Sequence, residues 1–287
     1  MLAFSSLLGN VEGQNIYRIW YDKPASYWEE ALPVGNGRIA AMVFGDPQLE
    51  QIQLNEETVS AGSPYQNYNE EAKAALPEMR RLIFEGKYEE AQNMAATKIL
   101  SQVGNEMPYQ TVGRLNIRYQ DHKKVNNYYR DLDISNAVAV TRYEVDGVEF
   151  TEETFASFTD QLVIRHIKAS KPGTINCELF FNTPMRDPKR SIYGKKGLRL
   201  EGITYGSRYF PGKVHYCADL DVKHKGGKVI TANDTLLSVQ GASELTLYIS
   251  MATNFVNYKD ISGDPYQRNK AYLKNAAKDY SLSLIHI

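Results

Sequence analysis

The sequence predicts a mainly β protein: a large antiparallel β-sandwich with a short helical insertion at about 67–100 and a helical segment starting near the C-terminus. Three observations predict it. From Arg114 onward, short apolar runs recur at near-regular spacing between Gly, Asn and Asp turn signals. Within runs such as Leu115-Asn116-Ile117-Arg118-Tyr119, apolar and polar residues alternate with the period of two that marks a half-buried strand. Helical periodicity is confined to Asn67–Leu100 and a stretch near Ala271.

Ile16 to Tyr21 reads as the first strand, broken at Lys23-Pro24-Ala25, and Ser26 to Ala31 as a short turn of helix. A Gly-rich turn, Pro33-Val34-Gly35-Asn36-Gly37, leads into the apolar run Ile39 to Phe44. After a turn at Gly45-Asp46-Pro47, Leu49 to Leu54 alternates, with Ile52 and Leu54 on one face and Gln51 and Gln53 on the other. In the insertion, Asn67 or Asn69 can cap a short helix through Ala75. Pro77 suits the first turn of a second helix, where its missing N–H would be unpaired anyway. Gly86 ends that helix. Tyr88, Ala91, Ala95 and Ile99 recur at helical spacing on a third, a stripe expected to pack against a sheet.

Asp146-Gly147 between apolar runs is a strong hairpin signal. Leu162–Ile167, Ile175–Phe181, Leu198–Ile203, Val214–Val222, Leu236–Val239 and Leu245–Met251 continue the strand pattern. Lys259 to Pro265 is loop-like, and Ala271 to Tyr280 has helical composition. The last residues, Ser281 to Ile287, are an apolar stretch with no following partner, which reads as a truncation.

The 287 residues, 43% apolar, suffice for a sizeable core. A net charge of −1 without a basic run argues against nucleic acid and against a polybasic membrane anchor. No apolar run is long enough to span a bilayer. No cofactor and no metal is expected: the five histidines show no ligand spacing, and Gly35-Asn36-Gly37 is too short for a dinucleotide fingerprint. Cys177 and Cys217 read as two separate thiols, Cys177 sharing a face with Ile175 and Leu179 and Cys217 pointing the other way. The abundance of tyrosine, 20 against 10 Phe, fits carbohydrate handling and equally fits half-buried strands. Residues 1–14 read as the remnant of a secretory signal peptide: small and apolar from Leu2 to Gly9, then a cleavage-like Val11-Glu12-Gly13. A secreted or periplasmic protein is therefore expected.

The stretch from Trp28 to Pro64 carries W-x-x-A-L-P-x-G-N-G-R-x-x-A-M-V-F-G, then Q-L-N-E-x-T, then S-x-G-x-P. It resembles the opening of glycoside hydrolase family 95, the α-L-fucosidases and α-L-galactosidases. Tyr129-Arg130-Asp131-Leu132-Asp133, Gly147-Val148-Glu149-Phe150-Thr151 and Ala252-Thr253-Asn254-Phe255-Val256 extend the likeness. There are departures: Val59 stands where a Trp is usual, Asp46 where a second Gly is, and Arg114 where an acid is. The resemblance implies that residues 15–258 are an N-terminal β-sandwich domain. It implies that 259–287 begin a linker to an (α/α)6 barrel that carries the catalytic carboxylates and is missing here. No catalytic residue is then expected in this chain. The implied partners are that barrel, on the same polypeptide, and a glycan substrate.

Inverting hydrolysis needs two carboxyl groups on opposite sides of the scissile bond. The adjacent pairs Glu29-Glu30, Glu56-Glu57, Glu70-Glu71, Glu89-Glu90 and Glu152-Glu153 do not make such a dyad, because strand neighbours point to opposite faces. They are expected on solvated surface, Glu56 excepted. With Asn36, Arg38, Gln53 and Asn55, Glu56 forms a polar set beside Gly-rich turns. That edge could wall the mouth of the barrel's active site, or its groups could simply satisfy one another at a tight turn. Two rival readings stand beside the hydrolase domain. One is a free carbohydrate-binding module, although Trp20 and Trp28 lie within or near the motif and are expected to pack. The other is a related disaccharide phosphorylase, which the NGR and QLNE motifs disfavour.

Overall fold

The computed structural model describes residues 17–60, 62–101, 107–206 and 211–275. In chain order the strands are β1 (Arg18–Tyr21), β2 (Leu32–Gly35), β3 (Ile39–Val43), β4 (Leu49–Glu56), β5 (Gly113–Tyr119), β6 (Asn126–Asp133), β7 (Val138–Val145) and β8 (Val148–Ser157). Then follow β9 (Leu162–Ala169), β10 (Ile175–Asn182), β11 (Arg186–Tyr193), β12 (Gly197–Ile203), β13 (His215–Lys225), β14 (Lys228–Asn233), β15 (Leu236–Ala242) and β16 (Glu244–Thr253). They form two sheets. The larger has nine strands in the order β1-β6-β7-β8-β9-β16-β13-β12-β11, the smaller seven in the order β14-β15-β10-β5-β4-β3-β2. Ladders are antiparallel throughout, for example Val145 opposite Val148 across the Asp146-Gly147 hairpin. Both turn residues there have positive φ, as a type I′ turn demands.

The core lies between the sheets, where inward-facing residues of β3, β4, β5 and β10 meet those of β9, β13 and β16. Alternation puts Glu50, Ile52, Leu54 and Glu56 of β4 inward and Gln51, Gln53 and Asn55 outward. A second apolar cluster covers the outer face of the nine-stranded sheet: Val138, Val140, Phe155, Leu162, Ile164 and Tyr248. Helix α3 (Pro265–Asn275) lies there with Tyr272 and Leu273 against that cluster. Buried Asn269 fixes it, donating to Cys217 O at 2.9 Å and accepting from the Ser250 hydroxyl at 2.8 Å.

Strands with a buried face follow the expected pattern, while unpatterned edges do not. β11 and β14 are edge strands, mostly exposed, and β11 carries Pro188, which only an edge tolerates. β2 adds an edge strand inside the predicted Gly-rich turn, with Pro33 on it. α3 starts at Pro265, earlier than composition indicates, because Asp264 accepts from the backbone N–H groups of Tyr266 and Gln267 and Pro265 takes the first helical position. Residues 276–287 and the leader 1–14 lie outside the described residues.

The insertion has two helices rather than three. α1 (Ala72–Phe84) runs through Pro77, at the cost of the bond to the Lys73 carbonyl, close enough to the start to be tolerated. Gly86, at φ +75°, closes α1: its N–H reaches Ile83 O, and that of Lys87 reaches Leu82 O. α2 (Tyr88–Met94) continues into a π-helical turn over Ala95–Ile99. The expected stripe does not find a sheet. Tyr88 is exposed, Phe84 is 89% exposed, and the helices pack chiefly on each other.

Both thiols are free and buried. Cys177 faces the inter-sheet core, whereas Cys217 lies on the opposite face, with its Sγ 3.6 Å from Asp219 Oδ1.

Candidate functional site

The five residues singled out in the sequence divide into two groups. Asn36, Arg38 and Glu56 converge at one end of the sandwich. Gln53 and Asn55 sit on the outer face of the seven-stranded sheet, because β4 alternation separates them from Glu56. Gln53 lines a shallow polar depression of about 260 Å³ with Arg114, Asn182 and Thr183.

Asn36 occupies the tight β2–β3 turn with Gly37 at φ +93°. Its Oδ1 accepts from the N–H groups of Arg38 and Ile39, and its Nδ2 donates to Ser157 O at 2.9 Å on the opposite sheet. That turn aims Arg38 across the sandwich end. Arg38 donates to Met251 O at 2.8 Å, to the Gln161 side chain at 2.6 Å and to Gln161 O at 3.2 Å. It meets Glu56 Oε1 at 3.3 Å and lies 4.8 Å from the centre of the Tyr272 ring of α3. Three elements are thus bound by one planar fork.

Glu56 is buried. Desolvation pushes its carboxyl above the usual range, opposed by hydrogen bonds from Thr58 and by the Arg38 charge. Its Oε2 accepts from the Thr58 N–H at 2.8 Å and from the Thr58 hydroxyl at 2.6 Å. Thr58 Oγ1 bonds Thr253 Oγ1, which accepts the Phe255 N–H at 3.2 Å. A continuous polar chain therefore runs from Arg38 and Glu56 to the segment after β16. Arg268 of α3 tightens the same segment, donating to Thr253 O and Phe255 O at 3.0 and 2.6 Å.

Beyond that chain opens a cleft of about 360 Å³. One wall is Ser60, Gly62, Ser63, Pro64 and Tyr65, from the S-x-G-x-P motif onward; the other is Phe255, Asn257, Tyr258 and Ile261, which begins in the A-T-N-F-V motif. Tyr65, Phe255 and Tyr258 supply rings, and Ser60, Ser63, Asn67 and Asn257 supply hydroxyls and amides. No carboxylate stands among the described lining residues, and no group of three metal-ligating side chains occurs among the described residues. The described lining therefore offers rings, hydroxyls and amides.

Two features run against sequence expectation. Trp20 and Trp28 are 61% and 51% exposed, so they do not pack into the core; Trp20 stacks on Tyr129 with ring centres 6.2 Å apart. Glu152 is not on solvated surface but fully buried beside Arg165, because it alternates with Glu153 on β8 and falls on the inward face. Parity along β4 was the available signal for Glu50 and Glu56, since both share the face of Ile52 and Leu54. The cleft itself left no local signal, because its walls lie about 190 residues apart in sequence.

Two large antiparallel sheets with a helix laid on one face define a β-sandwich domain. Residues 19–258 match the family described as Glycosyl hydrolase family 65, N-terminal domain, and the chain belongs to that family. It is similar to Alpha-L-fucosidase 2 of Arabidopsis thaliana, 32% identical over 271 residues that cover 85% of this chain and 31% of that one. It is also similar to an Aspergillus niger protein named as an alpha-fucosidase A, 26% identical over 284 residues, covering 91% of this chain and 34% of that one. The chain spans about a third of the length of these relatives. Among solved structures, one described as a kojibiose phosphorylase from human microbiome superposes with a TM-score of 0.53 at 9% identity, over 94% of this chain and 37% of that one. At that identity the likeness is one of fold.

Proposed function

We propose that this chain is the N-terminal β-sandwich of a family 95 α-L-fucosidase-type hydrolase, acting on fucosylated or α-L-galactosylated glycans by inverting hydrolysis. On this reading the catalytic carboxylates belong to a helical barrel further along a longer, secreted or periplasmic polypeptide, and the present chain alone is inactive. The observation that carries it is the 32% identity to a protein named as an α-L-fucosidase, of which this chain spans 31%.

In this arrangement Asn36, Arg38 and Glu56 brace the sandwich end that faces the barrel. Arg38 couples that end to α3, the start of the linker, and Gln53 and Asn55 take no direct part in the brace. The test is to express the coding region extended past Ile287 and compare it with this chain for release of L-fucose from a 2′-fucosylated oligosaccharide. Release by the extended product alone, with inversion at the anomeric carbon by NMR, is the expected result. Release by this chain alone, or phosphate-dependent cleavage by the longer one, would overturn it. A free carbohydrate-binding module is the second reading, favoured by the exposed Trp20 ring stacked on the half-buried Tyr129.

A further inference from the structure

The cleft beside Thr253 has a lining whose chemistry is specific enough to name an occupant. We infer that it is a glycan subsite taking one neutral pyranose ring; this deepens the hydrolase reading and rests on it only for the source of the glycan. Its volume of about 360 Å³ falls in the range of small-ligand sites, roughly 300–1,000 Å³. A pyranose offers two kinds of surface, a flat patch of C–H groups and a rim of hydroxyls. Tyr65, Phe255 and Tyr258 present ring carbon to the first, and Ser60, Ser63 and Asn257 can exchange hydrogen bonds with the second. The described lining itself holds no Asp, Glu, Lys or Arg; a charge beside it is the Lys259 ammonium, 5.1 Å from the centre of the Tyr258 ring, so an acidic sugar would find one cation there and a neutral one needs none.

The wall that begins at Phe255 is also held in place before any ligand arrives. Thr253 fixes the Phe255 backbone from below, and Arg268 binds the carbonyls of Thr253 and Phe255. Asn254 Oδ1 accepts from the His215 N–H at 3.0 Å, and the turn from Asn257 to Asp260 closes on its own backbone bonds. Glu56 therefore acts as a positioning residue for Phe255 through Thr58 and Thr253, which gives the most suggestive carboxylate of the opening motif a role that needs no contact with sugar. A pre-formed site of this kind binds without the ordering cost of a mobile loop.

The test is saturation-transfer NMR on this chain with methyl α-L-fucoside and methyl β-D-galactoside as separate probes. Transfer to the ring C–H protons of at least one probe is expected. Tyr258 is 75% exposed, so Tyr258→Ala leaves the core intact; it should weaken binding about three- to tenfold, the worth of one aromatic contact. Ser63→Trp, which fills the cleft instead of emptying it, should abolish transfer, and Tyr88→Ala on the helical insertion should leave it unchanged. No transfer from either probe, or transfer that survives Ser63→Trp with an unchanged thermal melt, would overturn the inference. The outcome is separate from the hydrolase reading: a silent cleft leaves fucose release by the longer polypeptide untouched, and an inactive longer polypeptide leaves this binding measurement unchanged.

Discussion

Arg165 and Arg38 each pair with a glutamate of β4 and each join the two sheets, Arg165 through Glu50 itself and Arg38 through Met251 O, but they do so in opposite surroundings. Arg165 of β9 is fully buried between Glu50 of β4 and Glu152 of β8. Its other partner is the Thr154 hydroxyl at 2.7 Å, and among the described residues its Nε finds none. Glu152 also accepts from the hydroxyls of Tyr119 and Tyr143, at 2.6 and 2.8 Å. Glu50 accepts from the N–H groups of Phe44 and Gly45. Arg38 keeps some contact with water and divides its hydrogen bonds between the backbone carbonyls of Met251 and Gln161 and the side chains of Gln161 and Glu56. The first cluster is sealed in the fold and can serve only the fold. The second stands at an end, beside the cleft and α3, where the same chemistry can position a surface.

Four perturbations would break or sharpen that contrast. Replacing Arg165 by Met should have the largest effect, because it strands two buried carboxylates. A loss of about 3–5 kcal/mol in urea unfolding is expected, or failure to fold. A stability within 1 kcal/mol of the parent would mean that the cluster is not a clip.

Glu50 sharpens the contrast through pH. Burial lifts its carboxyl from 4.5 to about 7, against the pull of Arg165, while the neighbouring Glu152 charge lifts it further. The folded state thus holds the Glu50 proton more tightly than the unfolded chain does. Its contribution is fully present below about pH 4.5 and is lost as pH rises through about 7. Glu50→Gln, which mimics the protonated form, should flatten stability across that window, removing a slope on the order of 3 kcal/mol. Melting curves of parent and variant from pH 5 to pH 8 that stay parallel would contradict this.

At the end, Arg38→Ala removes hydrogen bonds and leaves Glu56 buried, so about 1–3 kcal/mol is expected from denaturant titration, less than at Arg165. It should also loosen α3, seen as faster amide exchange at Asn269. Unchanged exchange there would separate Arg38 from α3. Phe84→Glu on α1 is expected to change stability by less than about 0.5 kcal/mol while raising solubility, since that ring is outside every core. A large destabilisation would show that the insertion packs more tightly than its exposure indicates.

The strand pattern was legible wherever one face was buried, because burial imposes period two on the side chains. β4 shows how far this reaches: the parity that places Ile52 and Leu54 inside also places Glu50 and Glu56 inside. Charge identity alone misled for Glu152, since glutamate is ordinarily outside. The edges β11 and β14 were not legible, having no buried face to impose a pattern. The helical stripe of Tyr88 and Ile99 misled for the converse reason, because periodicity reports amphipathicity but not what covers it.

The sequence by itself determined the sandwich, the Asp146-Gly147 hairpin, the opposed faces of Cys177 and Cys217, and the motif that ties the chain to its family. These depend on local pattern and on residues close together in the chain. Only the tertiary structure decided that Arg165 finds Glu50 and Glu152, and that Asn36, Arg38 and Glu56 meet while Gln53 and Asn55 stand apart. It alone brought Ser60 to Tyr65 opposite Phe255 to Ile261. Those meetings are set by strand order and register, with Arg165 and Glu50 115 positions apart, and no local periodicity encodes which strand becomes a neighbour.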